Sequence, residues 1–272
     1  MLHHSWAVEL LPWVDRNDIA QQWNMELPVT DPANQILSSM HVSVLACPDD
    51  ISVVRKGDLS YVVNGGFGWT SVVGGVGDCP IGPDGISLDL NGNAVVCPSS
   101  ASADGQPSDR DLFLMTGMFF IESWKTPGSQ RHHRPDSILD GLSHTILLTE
   151  NIRAGFDPGK PQTSWAYPES LRNSFFLSPA VCVNSSCSPG HVDYRRANSG
   201  ADAINAGLTA AEGKAPWPSS LHNGGVHMAF ADGNIRFVSE RIDGRIYAAL
   251  MSPQGARLPD ALIQSVPSDN EF

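Results

Sequence analysis

The stretch LHNGGVHMAFADGNIRFVSE, residues 221–240, constrains the fold more than any other part of the chain. Val226, Met228 and Phe230 alternate with His227, Ala229 and Ala231, and a period of two is the pattern of a half-buried strand. Asp232-Gly233 is a pair favoured in two-residue type I′ turns, where both central residues need positive φ. Ile235 and Phe237 continue the alternation beyond it. A two-residue turn sets Phe230 opposite Ile235 and Met228 opposite Phe237, which places four apolar side chains on one face. Gly224-Gly225 supplies a tight bend ahead of the first strand. The spacing predicts an antiparallel hairpin over 226–238.

His222 and His227 raise the question of a shared metal. One lies before the Gly-Gly bend and the other on the weaker face of the strand, with no HExxH or Cys/His spacing beside them. The expectation is structural: His222 bonds to backbone at the bend, and His227 is a surface residue.

A chain of 272 residues can bury a sizeable core, and residues 1–272 read as one globular domain. Its 25 glycines and 20 prolines are scattered throughout and imply many turns and short strands. The net charge of −12 argues against nucleic acid or an anionic membrane surface as partner. The start, MLHHSWAVELLPWVDR, has neither a charged signal-peptide region nor an apolar run able to cross a bilayer. Its composition fits a cytosolic chain or one whose targeting segment lies outside it.

None of the cysteines (Cys47, Cys79, Cys97, Cys182, Cys187) forms a CxxC pair, which argues against a zinc ribbon or thioredoxin-like motif. Cys182 and Cys187 flank VNSS in a loop-rich segment and are candidates for a small disulfide ring. Cys79 and Cys97 bracket a Gly/Asp-rich excursion that a disulfide would tie down. Both pairings need an oxidising compartment and leave Cys47, in Ala-Cys-Pro, over. Five reduced cysteines remain the alternative.

Along the chain, Trp6, Val8 and Leu10 alternate, and residues 15–24 read as a short helix carrying Ile19 and Trp23. MHVSVLACPDD (40–50), SYVVNGGFG (60–68), ILDGLSHTILLTEN (138–151) and SFFLSPAVCV (174–183) read as strand regions, Asp140-Gly141 being the opening turn of the third. DGRIYAALMSPQG, from residue 243, reads as a helix capped by Asp243. Residues 74–110 and 155–220 look like loop-rich insertions. The fold class expected is α+β, rich in antiparallel sheet, with short peripheral helices.

The order of these blocks resembles a large planctomycete family of prepilin-like proteins that carries the domain of unknown function 1559. SWAVELLPWVDRNDIAQQWN is similar to its Trp-x-x-x-Leu-Leu-Pro-aromatic opening. CPDD followed by SYVVNGG is similar to its Cys-Pro-x-Asp and Ser-Tyr-x-x-Asn-x-Gly pair. ILDGLSHTILLTEN resembles its Ile-x-Asp-Gly-x-Ser-x-Thr…Glu block, here Asp140, Gly141 and Glu150. His222 and Asp232-Gly233 resemble its C-terminal signature of a histidine, nine residues and Asp-Gly. The resemblance implies a pilin-like globular domain, export to the cell envelope, and self-assembly with pilin-like subunits through an N-terminal hydrophobic helix. That helix, which is also the family's membrane contact, is missing from this sequence.

Other chemistry is weaker. Asp140, Ser143 and His144 have the residue types of a hydrolase triad, but neighbours on a strand point to opposite faces, and no G-x-S-x-G elbow exists. Trp69, Trp165 and Trp217, if exposed, would suit a carbohydrate- or solute-binding module. Asp89, Asn91 and Asn93 have the alternate spacing of a calcium loop, yet Ala94 stands at its glycine position and Ser100 at its glutamate position. A plain Asn-Gly turn is the expectation there, and no cofactor is expected. The reading that fits best is a non-enzymatic, exported structural subunit.

Overall fold

A computed structural model describes residues 4–68, 88–91, 107–120, 133–177, 193–259 and 262–272. Its centre is a five-stranded mixed sheet with short helices around it, an α+β architecture. The strands are β1 (Leu59–Phe67), β2 (Ile146–Ala154), β3 (Ser174–Leu177), β4 (Gly225–Phe230) and β5 (Ile235–Ser239), in the spatial order β3-β1-β2-β4-β5. Three neighbouring pairs are antiparallel, and β1 with β3 is parallel. None of the helices among the described residues is long and apolar enough to cross a membrane.

One face of this sheet builds the core. Val62, Phe67, Ile146, Phe175, Val226, Met228, Phe230 and Val238 are buried there together with Tyr247, Leu250 and Met251 of the helix Gly244–Met251. The N-terminal segment closes the same core through Ala7, Val8, Leu11, Ile19 and Trp23. Burial of this apolar surface is the main stabilising contribution, at about 25 cal/mol per Å² removed from water. Asn64, fully buried in β1, braces the centre. Its amide donates to the Ile146 and Met251 carbonyls at 2.7 Å each, and its oxygen accepts from Gly66 N at 3.0 Å.

The hairpin forms, but in a different register from the expected one. Ala229 faces Ile235, Met228 faces Arg236 and His227 faces Phe237. Phe230 N–H donates to Asn234 O and Gly233 N–H to Phe230 O, so the loop holds Ala231, Asp232 and Gly233. Of the three, only Gly233 has positive φ, at +86°. The third loop residue shifts the pairing by one, and a shift of one sends every side chain of the second strand to the other face. Ile235 and Phe237 are therefore exposed, at 69% and 48%, and Val238 takes the core position.

Three further expectations change. Residues 40–50 are not a strand but hold a 3-10 turn at Ser43–Leu45, ahead of Pro48. Trp6–Leu10 is a helix, because Ser5 caps it by accepting from Ala7 N and places Ala7, Val8 and Leu11 inward together. The strand expected at 174–183 is present as the edge strand β3 (Ser174–Leu177), preceded by the short helix Ser170–Asn173. The segment 138–151 begins its strand only at Ile146, after a 3-10 turn at Leu142–His144.

Replacing Gly233 with Val should cost about 1–2 kcal/mol, because a Cβ opposes the left-handed conformation. A urea titration checks this, and an unchanged midpoint would contradict the three-residue loop. The cap at Asp243 gives a pH signature. Its carboxyl is held at about 2, chiefly by the Arg245 side chain and then by the Arg245 backbone N–H. A depressed folded value means that the contribution is present above about pH 4 and disappears as pH falls towards about 2. Exposure limits it to about 0.5 kcal/mol. Asp243→Asn, which keeps a cap acceptor, should flatten that acid limb in urea midpoints measured across the window.

Candidate functional site

On the sheet face opposite the core, five polar side chains from distant parts of the chain converge on Glu150. The carboxylate stands in the middle of β2, where it pairs with Tyr61 of β1, and is only 3% exposed. Alternation on β4 sends His227 to this face while Val226 and Met228 enter the core. The bend before β4 carries His222 over the same spot. Gly224 makes that bend, with φ +83°, and Gly225 lets β4 start close against β5, since a Cβ there would lie 2.2 Å from the Val238 carbonyl oxygen. The loop after the 3-10 turn at 43–45 brings Cys47 and Asp49 from the other side.

Each oxygen of Glu150 has its own partners. Oε2 accepts from the His227 backbone N–H at 2.7 Å, with His227 Nδ1 3.4 Å away. Oε1 faces His222 Nε2 at 2.9 Å and the Cys47 thiol at 3.7 Å. The other nitrogen of His222, Nδ1, lies 3.3 Å from Asp49 Oδ2. The two imidazoles meet edge to face with centroids 4.7 Å apart, and Phe237 packs against His227 at 5.3 Å. Burial pushes the Cys47 thiol up, and the charges of Glu150 and Asp49 add to this. Tyr61 is pushed up to about 12, first by burial and then by the charges of Cys47 and Glu150. Sγ of Cys47, Oε1 of Glu150 and Nε2 of His222 all lie within 4.8 Å of one another, the set among the described residues with the spacing to hold a metal ion.

His222 thus differs from its expectation: its ring binds two carboxylates rather than backbone. His227 is partly exposed, as a surface residue is, yet it also supplies the N–H that anchors Glu150. Sequence reasoning placed Glu150 and His222 in separate motifs and missed Cys47 and Asp49 as their neighbours. The CPDD motif was the available signal, but nothing in its spacing points 103 residues ahead to Glu150.

The other expected site residues lie elsewhere. Asp140, 7% exposed, accepts from the backbone N–H groups of Gly255 and Ala256 at 2.6 and 3.3 Å. Burial pushes its carboxyl up, with these two bonds opposing. Gly141 starts the 3-10 turn at 142–144. Asp232 bonds Asn234 within the hairpin loop, beside Gly233. Of the calcium pattern, Asp89 is buried, and the N–H groups of Leu90 and Asn91 both donate to Asp109 Oδ1, which makes this a side-chain-braced turn. Asn93, Cys79, Cys97, Cys182 and Cys187 lie outside the described residues, as does Trp69. Trp165 and Trp217 are buried, at 0% and 9%, so neither offers a binding face.

The triad types need correction as well. Because residues 142–144 form a 3-10 turn and not a strand, Ser143 Oγ reaches His144 Nδ1 at 3.0 Å. The acid beside His144 is Asp269, 3.2 Å from Nε2 and 73% exposed, whereas Asp140 is committed to the backbone.

A family model described as "Protein of unknown function (DUF1559)" matches residues 2–245, and the chain belongs to that family. Nothing matches among the curated proteins or among the solved structures.

Glu150→Ala should destabilise the fold by about 2–3 kcal/mol or more, because the His227 N–H and the His222 ring lose a buried acceptor. Glu150→Gln, which retains an oxygen, should cost less. Equal urea midpoints for wild type and the alanine variant would contradict a bracing role.

Proposed function

We propose that this member of the unknown-function family is the globular part of an exported, pilin- or pseudopilin-like structural subunit, and that it is not an enzyme. One observation carries the reading. Four polar residues of its family-like motifs point inward and hold the fold. Asp50 bonds Ser52 and Ser60, Asn64 bonds Ile146 and Met251, Asp140 bonds Gly255 and Ala256, and Glu150 bonds His222 and His227. All four are buried at 7% exposure or less. A motif set used in this way preserves a shape rather than a reaction centre. Shape is what a repeating subunit presents to its neighbours.

In this reading the cell envelope is the location, and copies of the chain or other pilin-like subunits are the partners. They would join through an N-terminal helix of the kind the family resemblance implies. The acidic balance, −12, opposes close packing of the bare globular parts at low salt and disfavours nucleic acid.

Two rivals have specific support. The contact of Ser143, His144 and Asp269 favours a hydrolase. Against it, the Ser–His contact joins chain neighbours within one turn, and the acid stands in solvent where its field is screened. A binding module has in its favour a groove lined by Asp50, Ser52, Leu59, Phe156 and Glu212, but at about 50 Å³ it is much smaller than an ordinary ligand pocket.

The test expresses the full natural gene product in its own host and probes sheared surface fractions by immunogold electron microscopy with antibody to residues 193–259. Labelled filaments in the envelope fraction are the expected outcome. Turnover of ester, peptide or glycoside substrates by the purified chain, abolished by Ser143→Ala, would reject the structural reading.

A further inference from the structure

We propose that Cys47, Glu150 and His222 bind one zinc-class divalent cation, through Sγ, Oε1 and Nε2, and that Asp49 positions the histidine. The three atoms stand at 3.7 Å (Sγ to Oε1), 3.9 Å (Sγ to Nε2) and 2.9 Å (Nε2 to Oε1). Tetrahedral zinc with ordinary bond lengths places such donors roughly 3.3–3.6 Å apart. Each edge is thus within about half an ångström of the requirement, a change that small side-chain rotations supply.

The donor chemistry agrees with the geometry. A thiolate, an imidazole nitrogen and a carboxylate oxygen form a mixed set that suits zinc and excludes the all-oxygen preference of calcium or magnesium. The surroundings are arranged as a metal site requires. His222 presents Nε2 to the centre and its opposite nitrogen to Asp49 at 3.3 Å, the carboxylate–histidine arrangement that orients a metal-binding ring. Glu150 has Oε2 already held by the His227 N–H at 2.7 Å, which leaves Oε1 aimed at the cation. The partly exposed His222 ring gives a way in from solvent, and three protein donors leave a fourth position for water.

The consequence is mechanical. Cys47 and Glu150 are 103 positions apart, and Glu150 and His222 are 72 apart, so the cation would tie the 43–50 loop, β2 and the bend before β4 together. This deepens the structural role of the Glu150 cluster without depending on filament assembly. It holds equally for a binding module or a hydrolase.

The experiment uses the whole chain, reduced with a non-chelating phosphine, and cobalt chloride or zinc sulphate alone as probe. Cobalt should bind one equivalent, giving the visible bands of a tetrahedral ion and a near-ultraviolet sulfur-to-cobalt band. Zinc should displace it and raise Tm. Cys47→Ser should abolish the sulfur band although the other cysteines remain. Asp49→Ala, at a side chain 68% exposed and so safe for folding, should weaken zinc about 10–100-fold. X-ray absorption on the wild-type zinc form should report a single sulfur among nitrogen and oxygen neighbours, which holds even if a variant misfolds. No stoichiometric binding, a sulfur band that survives Cys47→Ser, or two or more sulfurs at zinc would each overturn the proposal.

Discussion

Glu150 is a carboxylate in the middle strand of a sheet, removed from water to 3% exposure, and a buried carboxylate is tolerated only where its oxygens are satisfied. That requirement organises one whole face of the molecule. A backbone N–H of β4, an imidazole from the preceding bend and a thiol from the 43–50 loop are each drawn to it. Each partner then needs its own support. Asp49 takes the far side of His222, Gly224 allows the bend, and Phe237 packs against His227. The three-residue hairpin loop belongs to the same chain of dependence. Its register turns Phe237 outward, where it covers the cluster, and turns Val238 into the core.

The opposite face obeys a simpler constraint. Apolar residues of β1, β2, β4 and β5 close on the helix 244–251 and the N-terminal segment, and Asn64 ties the helix end to β2 through two carbonyls. Asp140 repeats this device at the next turn, where it satisfies Gly255 and Ala256. Polar residues inside a core are costly unless every lone pair and proton is used, and here they are used to join segments far apart in the chain. Asp50, Asn64, Asp140 and Glu150, buried and hydrogen-bonded to other segments, help to hold the shape of the fold. This is why the structural reading of the family member is preferred to the Ser143–His144 contact, which the local turn makes unaided.

Much of the fold was legible without coordinates. Period-two alternation located β4 and β5, the run SYVVNGGFG ending in glycines located β1, and Asp243 ahead of an amphipathic run located the last helix, because those signals act between residues a few positions apart. The 40–50 segment misled because its apolar alternation is short, and its backbone turns at Ser43–Leu45. Trp6–Leu10 misled because Ser5, a cap, outweighed the alternation of three residues. The hairpin was found in kind but not in register, since Asp-Gly serves a two-residue turn and a three-residue loop equally well, and the observed register is the one that puts Val238 into the core.

By itself, then, the sequence determined the local elements, the α+β class and the family, all of which depend on neighbouring residues or on motif order. Tertiary structure alone decided the site. Cys47, Asp49, Glu150, His222 and His227 carry no mutual spacing that chemistry could recognise along the chain. They become one cluster because β2 lies between β1 and β4, and because the buried charge of Glu150 needs partners that only the folded sheet brings within reach.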